Sequence, residues 1–255
     1  MQGLRPVLGP VGRPLLAVAV LGVAAALFSC VRAQDAGPYI PPSPDELQSA
    51  RERLVEQLCA RGFLHTPAVT KALRDTQRHL FVPPELWSVA YEDRALPIGY
   101  EQTISAPHMV ALMTELIEPT PEKTILEIGT GSGYQAAVLS RLCKKVFTIE
   151  ILEPLATQAD RRLKELGYKN VTVRCGDGYQ GWAENAPFDG IMVTCAPEDV
   201  PTPLVEQLRD GGILVIPVGE PYQQQLYVLR KSNGLVSRTA IIPVLFVPMT
   251  GEMHN

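Results

Sequence analysis

Apolar positions in this chain follow two rhythms, first helical and then alternating between strand and helix. Leu47, Leu54, Val55 and Leu58 recur at helical intervals. They predict a helix that opens on the Ser43 to Glu46 capping-box spacing, carries Pro44 in its first turn and stops at Gly62. Thr66-Pro67 opens a second helix, to about His79, by the same logic. A third runs from Pro107 to Ile117, with Val110, Leu112, Met113, Leu116 and Ile117 as its apolar face. From Ile125 onward the pattern changes to short apolar runs, at the start of ILEIGTGSGY and then at 145–150, 171–175, 188–195 and 212–218. Helical stretches near 153–166 and 199–209 lie among them, so the fold class is α/β, with a doubly wound and mostly parallel sheet. The last runs, near 224–231 and 239–247, have no helix between them and should be antiparallel. Gly99 to Ser105 is polar and has no strong period.

Composition adds limits. The chain has 255 residues, 46% of them hydrophobic and 20% charged, which suits one catalytic domain over residues 45–255. Residues 1–33 stand apart: Arg5 and Arg13 precede the apolar run Leu15 to Val31, and no acid appears before Asp35. This predicts an export signal, cleaved after Val31-Arg32-Ala33, and a periplasmic protein. A lipoprotein site at Leu27-Phe28-Ser29-Cys30 and an uncleaved membrane anchor are the two alternatives; cytoplasmic residence follows if the signal does not function. Residues 34–44 are proline-rich and read as a tether. Without residues 1–33 the chain has 20 basic and 27 acidic residues, a formal charge of −7 that argues against a nucleic-acid partner. Cys59, Cys143, Cys175 and Cys195 lack metal-ligand spacing and read as buried thiols, so neither a metal nor a disulfide is expected.

The candidate chemistry centres on Gly129-Thr130-Gly131-Ser132-Gly133, between a strand and a helix, with Glu150 ending the next strand 21 residues after Gly129. Such a turn lacks side chains where a ligand comes close, and the acid is placed to accept from ribose hydroxyls. The spelling differs from the GxGxxG of a dinucleotide site and is led by an acid, Glu127, which favours a cofactor without phosphate. S-adenosyl-L-methionine fits, because an acid near its ammonium is attractive. A nicotinamide-linked oxidoreductase is disfavoured by that spelling and by the lack of a second catalytic domain. Asp177-Gly178 follows a strand and is placed to take the adenine amino group, with Gly178 admitting the ring. Ser105, just before the third helix, reads on these grounds alone as a helix cap.

The segments LPIGYEQTISAPHMVALMTELI, ILEIGTGSGYQAAVLS, VFTIE, CGDGYQGW, APFDGIMVTCAPEDVP and LRDGGILVIPVG together resemble the protein-L-isoaspartate (D-aspartate) O-methyltransferase family across residues 45 to 250. The resemblance implies the fold of class I S-adenosylmethionine-dependent methyltransferases, Rossmann-like in type. It implies repair of damaged proteins by methylating L-isoaspartyl residues, with D-aspartyl residues as a second class, and a monomeric enzyme. It makes Ser105 the active-site serine, flanked by Thr103 and Ile104, and assigns Gly129, Gly131, Glu150, Asp177 and Gly178 to the cofactor; Glu127, Thr130 and Gly133 complete that set. Two departures stand out: Glu101 precedes Gln102 where the family commonly has glycine, and Cys195 replaces an alanine. Glu101 is expected to point away from a site meant for a carboxylate. Methylation of another carboxylate or a small molecule, and an exported binding module without turnover, are the competing readings.

Overall fold

In the computed structural model, which describes residues 39–252, the first helix α1 (Pro44–Ala60) begins on its capping box. Ser43 N–H donates to Glu46 Oε2 at 2.8 Å and Glu46 N–H donates to Ser43 Oγ at 3.3 Å. The expected signal and the first part of the tether lie outside the described residues. Helix α2 (Pro67–Asp75) is shorter than its sequence pattern, which ran to His79. Thr76 turns extended, with φ −95° and ψ 112°, and the chain re-forms as a short 3₁₀ turn at Arg78–Phe81. The cause is Arg78, whose side chain is fully buried and donates through Nε to Ala90 O at 3.0 Å. Its guanidinium lies 5.1 Å from the ring centre of Tyr134, and burial pushes its pKa down to about 10.

Segment 99–105, which shows no period, holds the turn and second strand of a hairpin of β1 (Leu96–Gly99) and β2 (Gln102–Ile104). Strands of four and three residues are too short for alternation to register. The turn places Tyr100 and Glu101 at φ 53° and 58°, a region that side-chain-bearing residues seldom adopt. Helix α3 (Pro107–Leu116) follows, and leads to β3 (Thr124–Ile128), α4 (Tyr134–Ser140), β4 (Lys145–Glu150), α5 (Glu153–Glu165) and β5 (Val171–Cys175). The chain then crosses to β6 (Phe188–Val193), α6 (Thr202–Gln207), β7 (Leu208–Val218), β8 (Gln224–Ser232) and β9 (Leu235–Val244). Helix α6 is shorter than the expected 199–209, because Pro201 precedes it and Leu208 already has a strand ψ of 130°.

The seven-stranded sheet runs β5-β4-β3-β6-β7-β8-β9, parallel through β7 and antiparallel for β8 and β9. β3 therefore has β4 on one side and β6 on the other, and the order reverses there. Such a reversal opens a crevice outside the carboxyl ends of the strands. Both faces of the sheet are covered. Ile125 and Val146 pack with α1, α2, α3 and α4, while Leu126, Ile128, Phe147 and Ile149 pack with Phe188 and Leu204. Among the described residues no helix is long and apolar enough to cross a membrane.

Close packing of β3 on β6 rests on Gly190. A Cβ there would lie 2.7 Å from Ile125 Cδ1 and 3.0 Å from Ile117 Cγ1. Gly190→Ala should destabilise the fold by about 1–3 kcal/mol, read as a lower denaturant midpoint with unchanged slope.

Candidate active site

Two adjoining cavities open at the carboxyl end of the sheet. The deeper one, of about 310 Å³, is lined by the hairpin turn, the glycine loop, Glu150, Gly178 and the segment 247–250. The second, a groove of about 830 Å³, runs between the start of α3, Tyr222 and residues 242–248. Thr103 and Ser105 line both, so the serine stands where cavity meets groove.

Of the expected residues, Thr103, Ile104, Ser105, Gly129, Thr130, Gly131, Glu150 and Gly178 line the deep cavity. The glycine loop is held by Glu150. One carboxylate oxygen accepts the Gly131 N–H at 2.8 Å, the other the Leu152 N–H at 3.1 Å. Gly129 has φ +94°, and a Cβ there would lie 2.5 Å from Thr194 Oγ1, so no other residue keeps this loop shape. These features fit a cofactor with an adenosine: backbone without side chains at the strand end, and an acid beside it with lone pairs remaining.

Glu127, Gly133 and Asp177 do not line the cavity. Strand alternation puts Glu127 on the same face as Ile125, under the helices and fully buried. Its Oε2 accepts from Thr148 Oγ1, which is 2.7 Å from Thr130 Oγ1, so only a chain of hydroxyls joins it to the cavity. Its other oxygen has no partner among the described residues. Burial, with the nearby Glu150 adding to it, pushes its pKa up to about 8. The expected ionised acid beside an ammonium is thus a neutral acid one layer below the loop. Gly133 has φ +88° and faces α5, where a Cβ would lie 3.1 Å from Leu163 Cδ1, so it serves helix packing. Asp177 accepts the N–H groups of Tyr179 at 2.9 Å and Glu252 at 2.7 Å, which turns its carboxylate to the C-terminal segment.

Ser105 does not cap α3. The N-cap is Ala106, without a side-chain bond, and Asp93 accepts the first available helix N–H, that of His108, at 2.8 Å. The N–H groups of Met109 and Val110 go to Ala106 O, so the helix start offers no free donors to an anion. The Ser105 hydroxyl is left available beside the cavity. Glu101 borders the cavity from its left-handed turn position and is exposed. Cys59 and Cys175 are exposed instead of buried, and all four described cysteines are free. Cys195 lines the cavity, but burial pushes its thiol up to about 12, leaving it protonated. Sequence reasoning missed residues 247–250, whose only signal is an apolar stretch after a proline-broken strand, and the cavity-lining Ser132 and Gln135.

The Glu127 environment has a stability signature. A carboxyl with its folded pKa near 8 and an unfolded value near 4.5 binds its proton more tightly when folded. Its contribution is complete below the unfolded value and declines as pH rises to about 8. Glu127→Gln, which cannot ionise, should gain thermal stability relative to the parent between pH 5 and pH 8, then level off. A parent-to-variant difference in unfolding temperature independent of pH would show that Glu127 is ionised in the fold.

Comparison with known proteins agrees with this geometry. A family model described as protein-L-isoaspartate(D-aspartate) O-methyltransferase matches residues 49–254. Protein-L-isoaspartate O-methyltransferase 2 of Shewanella sediminis is 54% identical over 204 residues, covering 80% of this chain and 84% of the relative. A protein-L-isoaspartate O-methyltransferase of a Synechococcus species is 51% identical over 220 residues, covering 83% and 90%. Among solved structures, a Plasmodium falciparum protein described as a putative protein-L-isoaspartate O-methyltransferase, in complex with S-adenosyl-L-homocysteine, superposes with a TM-score of 0.70 at 27% identity over 78% of this chain and 98% of that one. With its mostly parallel sheet, glycine loop and serine-lined cavity, the chain belongs to the protein-L-isoaspartate (D-aspartate) O-methyltransferase family.

Proposed function

We propose that this chain transfers a methyl group from S-adenosyl-L-methionine to the free α-carboxylate of L-isoaspartyl residues in damaged proteins, which starts their repair. The observation that carries the reading is the position of Ser105 at the junction of the two cavities. One cavity suits the cofactor, and the other suits a peptide better than a small molecule.

An isoaspartyl α-carboxylate has an ordinary pKa of about 3.3–3.7 and is already ionised at neutral pH. No strong base is required, and placement of the anion decides the rate. When bound, S-adenosyl-L-methionine supplies a methyl group on a positively charged sulfur that leaves as a neutral thioether. The chain supplies the rest. Glu150 and the glycine loop would hold the adenosine end, and Ser105 would donate its hydroxyl to one carboxylate oxygen of the substrate, leaving the other free to attack. Ile104, Val110, Met113 and Met249 line the same cavity and exclude water from the anion. The methyl ester then closes to a succinimide through the neighbouring amide nitrogen, releasing methanol. Ring opening returns part of the product as normal aspartate.

We propose further that the chain acts as a monomer, since residues of one chain line both cavities, and that it works outside the cytosol. The second reading is supported by the charged and apolar pattern of residues 1–33.

Purified protein given labelled S-adenosyl-L-methionine should methylate an isoaspartyl peptide and leave its normal aspartyl twin unlabelled. Label in both peptides, or in neither while the cofactor binds, would move the substrate to another carboxylate. Ser105→Ala should lower turnover on the order of a hundredfold with less change in cofactor affinity. Unchanged turnover would remove Ser105 from the chemistry. For location, fractionation and N-terminal sequencing of the expressed chain should find a periplasmic form starting at Gln34. A cytosolic form that keeps Met1 would contradict it.

A further inference from the structure

The groove beside Ser105 contains a second oriented side chain that the methyl transfer does not use. His108 lies on its wall, with 30% of its side chain exposed. Its Nδ1 is 2.9 Å from Asp93 Oδ1, which also accepts the His108 N–H. Asp93 Oδ2 is paired with Arg61, and Phe63 packs against the imidazole with ring centres 5.3 Å apart. Hydrogen bonds from His108 and Arg61 hold Asp93 below the usual carboxylate range despite its partial burial. An ionised carboxylate accepts and cannot donate. The proton of a neutral imidazole therefore sits on Nδ1, and Nε2 presents a lone pair. No partner takes it among the described residues.

Two other polar side chains of the groove already have partners, while the Tyr222 hydroxyl belongs to a largely exposed side chain. The Gln224 amide accepts the Phe246 N–H at 2.6 Å and donates to Phe246 O at 3.1 Å. Thr194 Oγ1 donates to the carbonyls of Ile128 and Gly129. The Thr103 and Ser105 hydroxyls stand at the cavity mouth, where the proposed function puts the substrate carboxylate. Among the described residues, His108 Nε2 is thus a groove acceptor with a fixed direction and no partner, and the groups a peptide backbone brings that need an acceptor are its N–H groups.

We propose that the Asp93–His108 pair is a peptide-recognition element, in which Nε2 accepts one backbone N–H of the chain that carries the isoaspartyl residue. The inference rests on the reading of the substrate as an isoaspartyl peptide. Asp93 is the positioning residue, since it sets the tautomer and the ring angle. Capping of α3 alone needs only the N–H of residue 108, which any residue other than proline provides; the imidazole adds recognition.

The test is a cycle between enzyme and peptide. Isoaspartyl peptides in which one flanking backbone N–H at a time is replaced by N–CH₃ are compared on the parent protein, His108→Phe and His108→Gln. Phe keeps the backbone N–H that Asp93 caps and removes the acceptor; Gln restores an acceptor oxygen near the position of Nε2. One N-methyl position should raise KM about tenfold on the parent and on His108→Gln, with kcat little changed. The same position should cost less than about twofold on His108→Phe, whose KM for the unmodified peptide is already raised by a similar factor. Asp93→Ala, which leaves Nδ1 without its acceptor and the ring without its anchor, should lower the N-methyl penalty toward that of His108→Phe. Equal N-methyl penalties on the parent and on His108→Phe would overturn the assignment, as would an unchanged KM in a folded His108→Phe. Failure to methylate any isoaspartyl peptide would instead overturn the substrate reading beneath it.

Discussion

The Glu150 carboxylate that accepts the Gly131 N–H is the contact on which the rest of the site depends. It joins the end of β4 to the loop that follows β3, beside the point where the strand order reverses. Without it the loop would leave a backbone donor without a partner beside a deep cavity, a cost of about 1–3 kcal/mol. With it, the loop is held open by the positive φ of Gly129, Gly131 and Gly133 and cannot be filled by side chains. The hairpin then closes over this cradle. Ile98 would lie 3.4 Å from a Cβ on Gly131, and Thr103 on β2 and Ser105 just after it are thereby brought to the mouth of the cavity.

This arrangement separates two tasks that a methyltransferase for a carboxylate must combine. A cationic cofactor favours acids around it, and an anionic substrate does not. Glu127 resolves part of the conflict by burial, which keeps it neutral near pH 7 while its hydroxyl chain supports Thr130. Ile104, Val110, Met113 and Met249 give the cavity an apolar part, and the nearest helix start is already capped by Asp93, so the hydroxyls of Thr103 and Ser105 remain the donors at its mouth.

Much of the fold was legible because each element carried its own signal. The capping box of α1, the proline-led start of α3 and the strand-to-strand spacing from Ile125 to Glu150 all survive in the structure. Losses occurred where tertiary contacts override local pattern. α2 stops early because Arg78 turns inward, and the hairpin escapes notice because its strands are short and its turn uses Tyr100 and Glu101 instead of glycine. The site was legible as a set of residues on one edge of the sheet, but not in the direction of each side chain. Glu127 falls on the buried side of the β3 pleat, Asp177 turns to the distant Glu252, and Asp93 takes the cap expected of Ser105. No spacing rule reports contacts across 75 residues.

The most direct test of the account is the dissociation constant for S-adenosyl-L-homocysteine, measured by calorimetry on the parent protein and on Glu150→Gln. Gln keeps the size of the side chain and loses the charge that strengthens the bond from Gly131 N–H. The account predicts binding weakened about tenfold or more, with little change in the unfolding midpoint. Equal affinity in a folded variant would mean that the loop holds its shape without Glu150, and that the cofactor site is organised by some other contact.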